Sequence, residues 1–240
     1  MNKIHLKIHH VLTLGLVSSA LIVSGCGGSS SSNNPLVNKT YRLTLKNVTA
    51  NQPLSPAAVI LHKAGYHLWQ PGQAASVALE NLAEGGSNSQ VLDEAKTHAD
   101  FIASKAGTGA IPPGGSETLE LVAGDANGFR VTVATMLVNT NDAFAGIASS
   151  KIAGLAKGER FSMHVPVWDA GTEANSEAAG SLPGPADGGE GFNASRDGDS
   201  NFVAIHQGVV THADGLSTSV LNESHRFNNP VALITVERVE

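Results

Sequence analysis

The stretch YRLTLKNV, residues 41–48, alternates apolar and polar side chains over the length of one β-strand. Leu43 and Leu45 would point to the same face, because successive side chains in a strand point to opposite sides. Near the end of the chain, PVALITVERV (residues 230–239) alternates in the same way. Both segments therefore predict strands that cover a core with one face and meet water with the other.

Other segments also have the composition of strands, and glycine, proline and polar residues separate them. They are residues 57–62, 117–122, 129–138, 160–168 and 201–205. Short strands with long connections are typical of an antiparallel β-sandwich. The sequence therefore predicts a mainly β chain of this class.

Two segments have helical spacing and would lie in crossover connections of the sandwich. Ser76 is a suitable N-cap for a helix over residues 77–83, on which Glu80 and Glu84 would face water. Residues 89–104 form the second pattern, with apolar side chains on one helical face: Val91, Leu92, Ala95, Ala99 and Ile102. We therefore expect one or two short helices. By contrast, residues 170–200 show no periodicity, and a loop of that length is usually functional or disordered.

The N-terminal residues have the layout of a secretory signal. Lys3 and Lys7 precede an apolar run, residues 11–23, that is too short to span a bilayer as a mature helix. Cys26 follows the sequence Val-Ser-Gly, which resembles a bacterial lipobox, in which the cysteine is acylated and becomes the first residue. The alternative is a plain signal peptide with an incidental cysteine. The predicted organisation is a signal peptide over residues 1–25, lipidated Cys26 with a tether over residues 26–39, and one domain over residues 40–240.

Two further features favour the lipoprotein interpretation. Cys26 is the only cysteine, so no disulfide competes for it. The following GGSSSSNN (residues 27–34) is a flexible, polar tether. Gly27 stands where, in lipoproteins retained at the inner membrane, an aspartate is expected. The sequence therefore predicts an outer-membrane lipoprotein that faces either the periplasm or the outside.

The composition limits the possible partners. The formal net charge of −6 becomes −8 once Lys3 and Lys7 leave with the signal peptide. An acidic domain argues against nucleic acid as a partner and leaves cations as plausible ligands. Aromatic residues make up only 5 % of the chain while glycine occurs 26 times, which favours a loop-rich β protein.

Polar clusters follow two of the predicted strands and could form a cation site. Asp169 and Glu173 are four residues apart with Gly171 between them, so a curled loop can point both carboxylates inward. Asp142 could supply a third carboxylate if the strand ends meet at one pole of the sandwich. A hard cation such as Ca²⁺ takes six to eight oxygen ligands and removes the repulsion between such groups. The alternative is a solvated acidic turn, which is a common use of this pattern.

Two of these motifs resemble motifs of the spondin domain, the N-terminal module of F-spondin and mindin that also occurs in bacterial lipoproteins. They are TNDAFAG (residues 140–146) and VWDAGTEANSE (residues 167–177). Residues 41–56, 68–76 and 228–236 match the bacterial branch, so the resemblance covers nearly all of the predicted domain. DAGTE is its most specific part.

The resemblance implies an antiparallel β-sandwich with a structural calcium ion at one pole. The metal carboxylates of the family map by motif onto Asp142, Asp169 and Glu173. Glu173 replaces an aspartate of the animal members, and Ala143 replaces a tryptophan, so the surface around the site differs. The integrin and glycan partners of the animal proteins are therefore not carried over. We expect an unknown protein or glycan ligand.

Two rival interpretations remain open on the sequence alone. His206 and His212 flank a short turn, and neutral imidazoles suit Zn²⁺ or Cu²⁺, although the spacing fits no tight metal motif. The acidic loop pair could alternatively carry out hydrolysis. No nucleophile elbow or phosphate loop accompanies these residues. The main expectation is therefore a lipid-anchored binding or adhesion module and not an enzyme.

Overall fold

The computed structural model describes residues 38–240, except positions 125 and 199. The predicted signal peptide, Cys26 and most of the predicted tether lie outside the described residues. Two helices, ten strands and two short 3-10 turns make up the regular structure of the described part.

The first sheet contains the two segments with the clearest alternation. Its strand order is β4–β1–β10–β7, and every neighbouring pair is antiparallel. The bounds are Thr40–Asn47 for β1, Ser116–Val122 for β4, Arg160–Val165 for β7 and Ala232–Arg238 for β10. In β1, Leu43 and Leu45 are buried while Arg42 and Lys46 are exposed, as the alternation predicts.

The second sheet has the order β3–β2–β5–β6–β8–β9 and is also antiparallel throughout. Its strands are β2 (Ala58–His62), β3 (Phe101–Ala106), β5 (Arg130–Met136), β6 (Ala143–Lys151), β8 (Val167–Asp169) and β9 (Ala204–Ile205). The 3-10 turns are His212–Asp214 and Glu223–His225. The expected antiparallel β-sandwich is confirmed.

The second sheet is covered on both faces, which produces two apolar cores. Val59 and Leu61 of β2 pack into the core between the sheets, while Ile60 packs into the core beneath the helices. The helices are α1 (Val77–Gly85) and α2 (Ser89–Thr97). Because both faces of β2 are buried, its sequence AVILH reads as an apolar run and not as an alternating one.

Helix α1 begins as predicted, but its buried face differs from the prediction. Ser76 accepts a hydrogen bond from Leu79 N and caps the helix. Val77 is exposed, whereas Glu80 and Glu84 are buried. The expectation that these two glutamates face water is therefore wrong, because the later loop of residues 184–198 covers this side of the helix.

Helix α2 is shorter than the pattern over residues 89–104 predicts. It ends at Thr97, and residues 101–106 form strand β3, which pairs with β2 at the edge of the second sheet. Ala99 is exposed and Ile102 is half-buried, so neither continues the helical face. Residues 101–106 pair along their backbone with the buried strand β2 and therefore form a strand. The helical spacing of Ala99 and Ile102 does not overcome this pairing.

Pro166 divides the segment predicted as one strand over residues 160–168. Proline has no N–H to donate to a ladder, so the pairing is interrupted there. The chain leaves β7 in the first sheet and enters β8 in the second sheet. This change of sheet directs Asp169 to the end of the sandwich where Asp142 lies.

No helix in the described residues is long and apolar enough to cross a membrane.

Candidate functional site

Strand pairing brings Asp142 and Asp169 together at one pole of the second sheet. Asp142 immediately precedes β6, and Asp169 is the last residue of β8. These strands are antiparallel, with Ala143 opposite Asp169, so the start of one lies beside the end of the other. Ala170 N donates to the Asp142 carbonyl at 3.3 Å and joins the two loops. The sequence-predicted acidic residues therefore meet.

Asp142 is fully buried, and its two carboxylate oxygens differ. Oδ2 accepts hydrogen bonds from Thr172 N at 2.8 Å, Glu173 N at 3.2 Å and Thr172 Oγ1 at 3.3 Å. Oδ1 is buried and has no hydrogen-bond partner. Burial, and secondarily the charge of Asp169, raises the pKa of Asp142 to about 7. The DAGTE loop thus wraps around one oxygen and leaves the other available.

Glu173 also has an unpartnered oxygen. Its Oε2 is buried without a hydrogen-bond partner, although the residue as a whole is half-buried. Burial raises its pKa to about 8, and the charges of Glu84 and Asp142 add to the rise. A carboxylate in this position favours either a proton or a bound cation. Asp142 and Glu173 therefore share one electrostatic environment.

Asp169 is the best-satisfied member of the predicted triad. Its Oδ1 accepts from Gly171 N at 2.7 Å, and its Oδ2 accepts from Asn175 Nδ2 at 2.7 Å. Each oxygen retains a second lone pair, so both remain able to bind a cation. Asp169 is half-buried and lies at the edge of the cluster.

Gly171 allows the DAGTE loop to turn inward at this point. Its φ is +72°, in the left-handed region, and a Cβ would lie 2.5 Å from Phe202 O. Both the positive φ and the close approach of the Phe202 backbone therefore require glycine at this position. The turn presents Thr172 N and Glu173 N to Asp142.

Glu84 is a member of the cluster that sequence reasoning missed. It is 0 % exposed, and its Oε2 accepts from Asn193 N at 2.9 Å. Burial raises its pKa, and the hydrogen bond from Asn193 N–H partly offsets the rise. No signal within helix α1 marks this residue, because the segment that covers it lies about 110 residues later.

The loop predicted over residues 170–200 packs across the pole. Arg196 binds both carboxylate oxygens of Glu80 and also donates to Ala75 O at 2.9 Å. Asp197 Oδ1 accepts from Ala174 N at 3.2 Å. Asp197 N donates to Thr172 O at 3.1 Å. The long loop is therefore joined both to helix α1 and to the DAGTE turn.

The carboxylate oxygens of the cluster are the kind of ligand that a hard cation requires. Its contributing groups are carboxylates, which bind Ca²⁺ in proteins, and buried oxygens without partners cost free energy that a cation would recover. The side chains do not already surround one point: in the described ranges, no group of three or more His, Cys, Asp and Glu side chains has the arrangement of a metal site. A cation would therefore draw the carboxylates inward as it bound.

The structure does not bring His206 and His212 together as a metal site within the described residues. His206 is 4 % exposed; its Nδ1 accepts from Gly208 N at 2.9 Å, and its Nε2 lies 3.2 Å from Asn175 Oδ1. Since Nδ1 accepts, Nε2 carries the proton and donates to Asn175. Both nitrogens are thus engaged, and burial lowers the pKa of this histidine. His212 is exposed on a 3-10 turn.

The comparisons with known proteins agree with the motifs. No curated protein matches the chain. The family model described as Spondin_N matches residues 44–180, which is more than half of the 240 residues and includes Asp142, Asp169 and Glu173. The chain belongs to the spondin N-terminal domain family.

Proposed function

We propose that the chain is a lipid-anchored, extracytoplasmic binding or adhesion module and not an enzyme. A calcium ion held by Asp142, Asp169 and Glu173 stabilises the loops at its pole. Membership of the spondin family indicates an extracellular module of the binding type. The acidic charge of the chain disfavours nucleic acid as the ligand.

The observation that carries the calcium proposal is the pair of unpartnered oxygens Asp142 Oδ1 and Glu173 Oε2. Nearly all buried polar atoms in folded proteins have a partner, and an orphaned carboxylate oxygen is costly. Here the two orphaned oxygens belong to carboxylates whose pKa values burial raises, and the charge of Asp142 adds to the rise for Glu173. Backbone donors fix the opposite oxygen of Asp142, which orients its free oxygen.

Calcium would supply positive charge without redox chemistry and with a flexible coordination number. Asp142 would remain held by Thr172 and Glu173, while Asp169 would remain oriented by Asn175. The cation would thus join the start of β6 to the loop that follows β8. Its role is structural, since it fixes the loops that form the binding surface at this pole.

The proposal is tested by measuring the melting temperature of the purified protein in EDTA and in Ca²⁺. At a hundredfold excess over Kd, a ligand adds about 2.7 kcal/mol of stability. That corresponds to a rise of about 5–10 °C for a domain of this size. Asp142→Asn should abolish the rise. An unchanged melting temperature in Ca²⁺ would overturn the proposal.

The same assay distinguishes the rival metal site. Zn²⁺ or Cu²⁺ should give no specific stabilisation that depends on the histidines. A large effect of either metal that disappears in His206→Ala and His212→Ala would favour a metal-handling lipoprotein instead.

The anchor is proposed from the sequence of the N-terminal segment. We propose that Cys26 is acylated and that the domain is attached to the outer membrane, on the periplasmic or the outer side. Cys26→Ser should move the protein from the membrane fraction to the soluble fraction and abolish incorporation of labelled palmitate. Persistence of the label in this variant would disprove acylation at this residue.

A further inference from the structure

We propose that Glu84, on the last turn of helix α1, is a further ligand of the same cation, so that cation binding fastens α1 and the loop of residues 184–198 to the pole. The inference rests on the proposed calcium site, and no family motif identified in the sequence assigns Glu84 a role. It extends that site from the strand ends to helix α1.

The first observation is the unpartnered oxygen of Glu84. Glu84 is fully buried, and its Oε1 has no hydrogen-bond partner while Oε2 accepts from Asn193 N. Thr172 Oγ1 lies near both Glu84 and Asp142, but one hydroxyl donates only one hydrogen. It donates to Asp142 Oδ2 at 3.3 Å, which leaves Glu84 Oε1 without a donor.

The second observation is the position of Glu84 relative to the other carboxylates. Helix α1 packs against β6, which Asp142 immediately precedes, and the loop that donates to Glu84 through Asn193 N also donates to Thr172 O through Asp197 N. In this arrangement the charge of Glu84 adds to the raised pKa of both Asp142 and Glu173. Each of them has one buried oxygen without a partner: Glu84 Oε1, Asp142 Oδ1 and Glu173 Oε2. These three oxygens come from three separate chain segments and do not already surround one point in the described residues, so a divalent cation would draw them together as it bound.

The third observation is the end of the helix on which Glu84 lies. The C-terminus of a helix carries a partial negative charge, so an acidic residue in the last turn is unfavourable there. The last turn of α1 contains no basic residue. Burial, the helix dipole and the neighbouring carboxylates therefore all disfavour an uncompensated charge on Glu84. A bound cation would offset all three costs at once.

Glu80 shows what the chain does when it neutralises such a group with its own side chains. Glu80 lies one turn earlier on the same helix and is bound through both oxygens by Arg196. The same loop approaches Glu84 with only a backbone N–H, that of Asn193. The loop therefore supplies a positive side chain for Glu80 and leaves the free oxygen of Glu84 to an external cation.

The test compares the calcium response of three variants of the full chain. Glu84→Gln keeps the shape and the acceptor for Asn193 N–H but removes the charge. We expect it to weaken calcium binding by about tenfold or more, because affinity at such sites follows the number of charged ligands. The melting temperature in EDTA should not fall, whereas the rise in Ca²⁺ should be largely lost.

Two matched controls separate this effect from a general loss of acidic charge. Glu80→Gln changes the same helix at an ion-paired position. Glu177→Gln changes a glutamate that is equally buried and also has an unpartnered Oε2, but whose pKa no charged neighbour raises. Both controls should retain the calcium-induced rise, whatever their melting temperature in EDTA.

Hydrogen exchange at the Asn193 amide gives a readout independent of global unfolding. This N–H donates to Glu84, so calcium should slow its exchange in the wild type and not in Glu84→Gln. If Glu84→Gln does not fold, Glu84→Asp retracts the oxygens by one methylene and should lose affinity as well. A full calcium response in the variant that folds would overturn the inference and leave the calcium site intact. No calcium response in the wild type would overturn both.

Discussion

Arg196 holds Glu80 through two parallel hydrogen bonds, from Nε to Oε1 at 2.9 Å and from Nη2 to Oε2 at 2.7 Å. The Glu80 side chain is 3 % exposed and that of Arg196 is 27 % exposed. Bidentate pairs of this kind are strong and directional. The two residues are 116 positions apart, so the pair attaches the long loop to helix α1.

Replacing Arg196 by methionine should destabilise the protein by about 2–4 kcal/mol, because it leaves the buried carboxylate of Glu80 without its partner. The double variant Glu80→Met, Arg196→Met should be more stable than Arg196→Met alone, since no buried charge remains. Urea unfolding of the wild type, both single variants and the double variant gives the interaction free energy between Glu80 and Arg196. Strictly additive losses would contradict this account.

Gly171→Ala should destabilise the protein more than Gly180→Ala. Both glycines have positive φ, +72° and +87°, so both alanines are strained by about 1 kcal/mol or more. Only the Cβ at position 171 would meet backbone, at 2.5 Å from Phe202 O, whereas position 180 has open space. We expect an additional loss of about 2 kcal/mol for Gly171→Ala. Equal losses in denaturant unfolding, measured in EDTA, would contradict the packing argument.

The strands that the sequence predicts best are those with one buried face and one solvent-exposed face. Strand β1 alternates because Leu43 packs inward while Arg42 meets water. Strand β6 was not predicted as a strand, because both faces of its first half are buried: Ala145 faces the core between the sheets and Phe144 faces the helices. Small residues on both sides give no periodicity of two. Burial by a third layer is a tertiary property that the local pattern does not contain.

The candidate site was predictable only in the part that strand ends supply. Asp142 immediately precedes β6 and Asp169 closes β8, and antiparallel pairing of these strands brings the two residues together. Glu84 was not predictable, because its burial depends on the loop that carries Asn193 and Arg196. Long-range contacts of this kind have no local signature in the sequence.

Asp142→Asn should stabilise the calcium-free protein by about 1–2 kcal/mol at pH 8, although it removes a native carboxylate. The asparagine oxygen can accept the Thr172 and Glu173 N–H groups, and no buried charge then repels its neighbours. Urea unfolding in EDTA measures this. Asp187→Asn is the control: Asp187 accepts from two backbone N–H groups, Gly180 and Leu182, in an exposed loop. The control should gain no stability. A lower free energy of unfolding in Asp142→Asn would show that other groups of the chain already compensate the charge of Asp142.

The stability of the calcium-free protein should fall as the pH rises from about 5 to 9. Asp142 and Glu173 have folded-state pKa values of about 7 and 8, above their ordinary values near 4, so the folded protein binds these protons more tightly than the unfolded chain. Their contribution is therefore complete below about pH 4 and is lost as the pH rises through 7 and 8. Calcium replaces the protons, so the fall should be much smaller in Ca²⁺ than in EDTA.

His206 acts oppositely, because burial lowers its pKa and acid below about pH 6.5 then favours the unfolded chain. Free energies of unfolding measured across this range, in EDTA and in Ca²⁺, check the signs. A calcium-free protein that becomes steadily more stable from pH 6 to 9 would contradict the burial of charge at this pole.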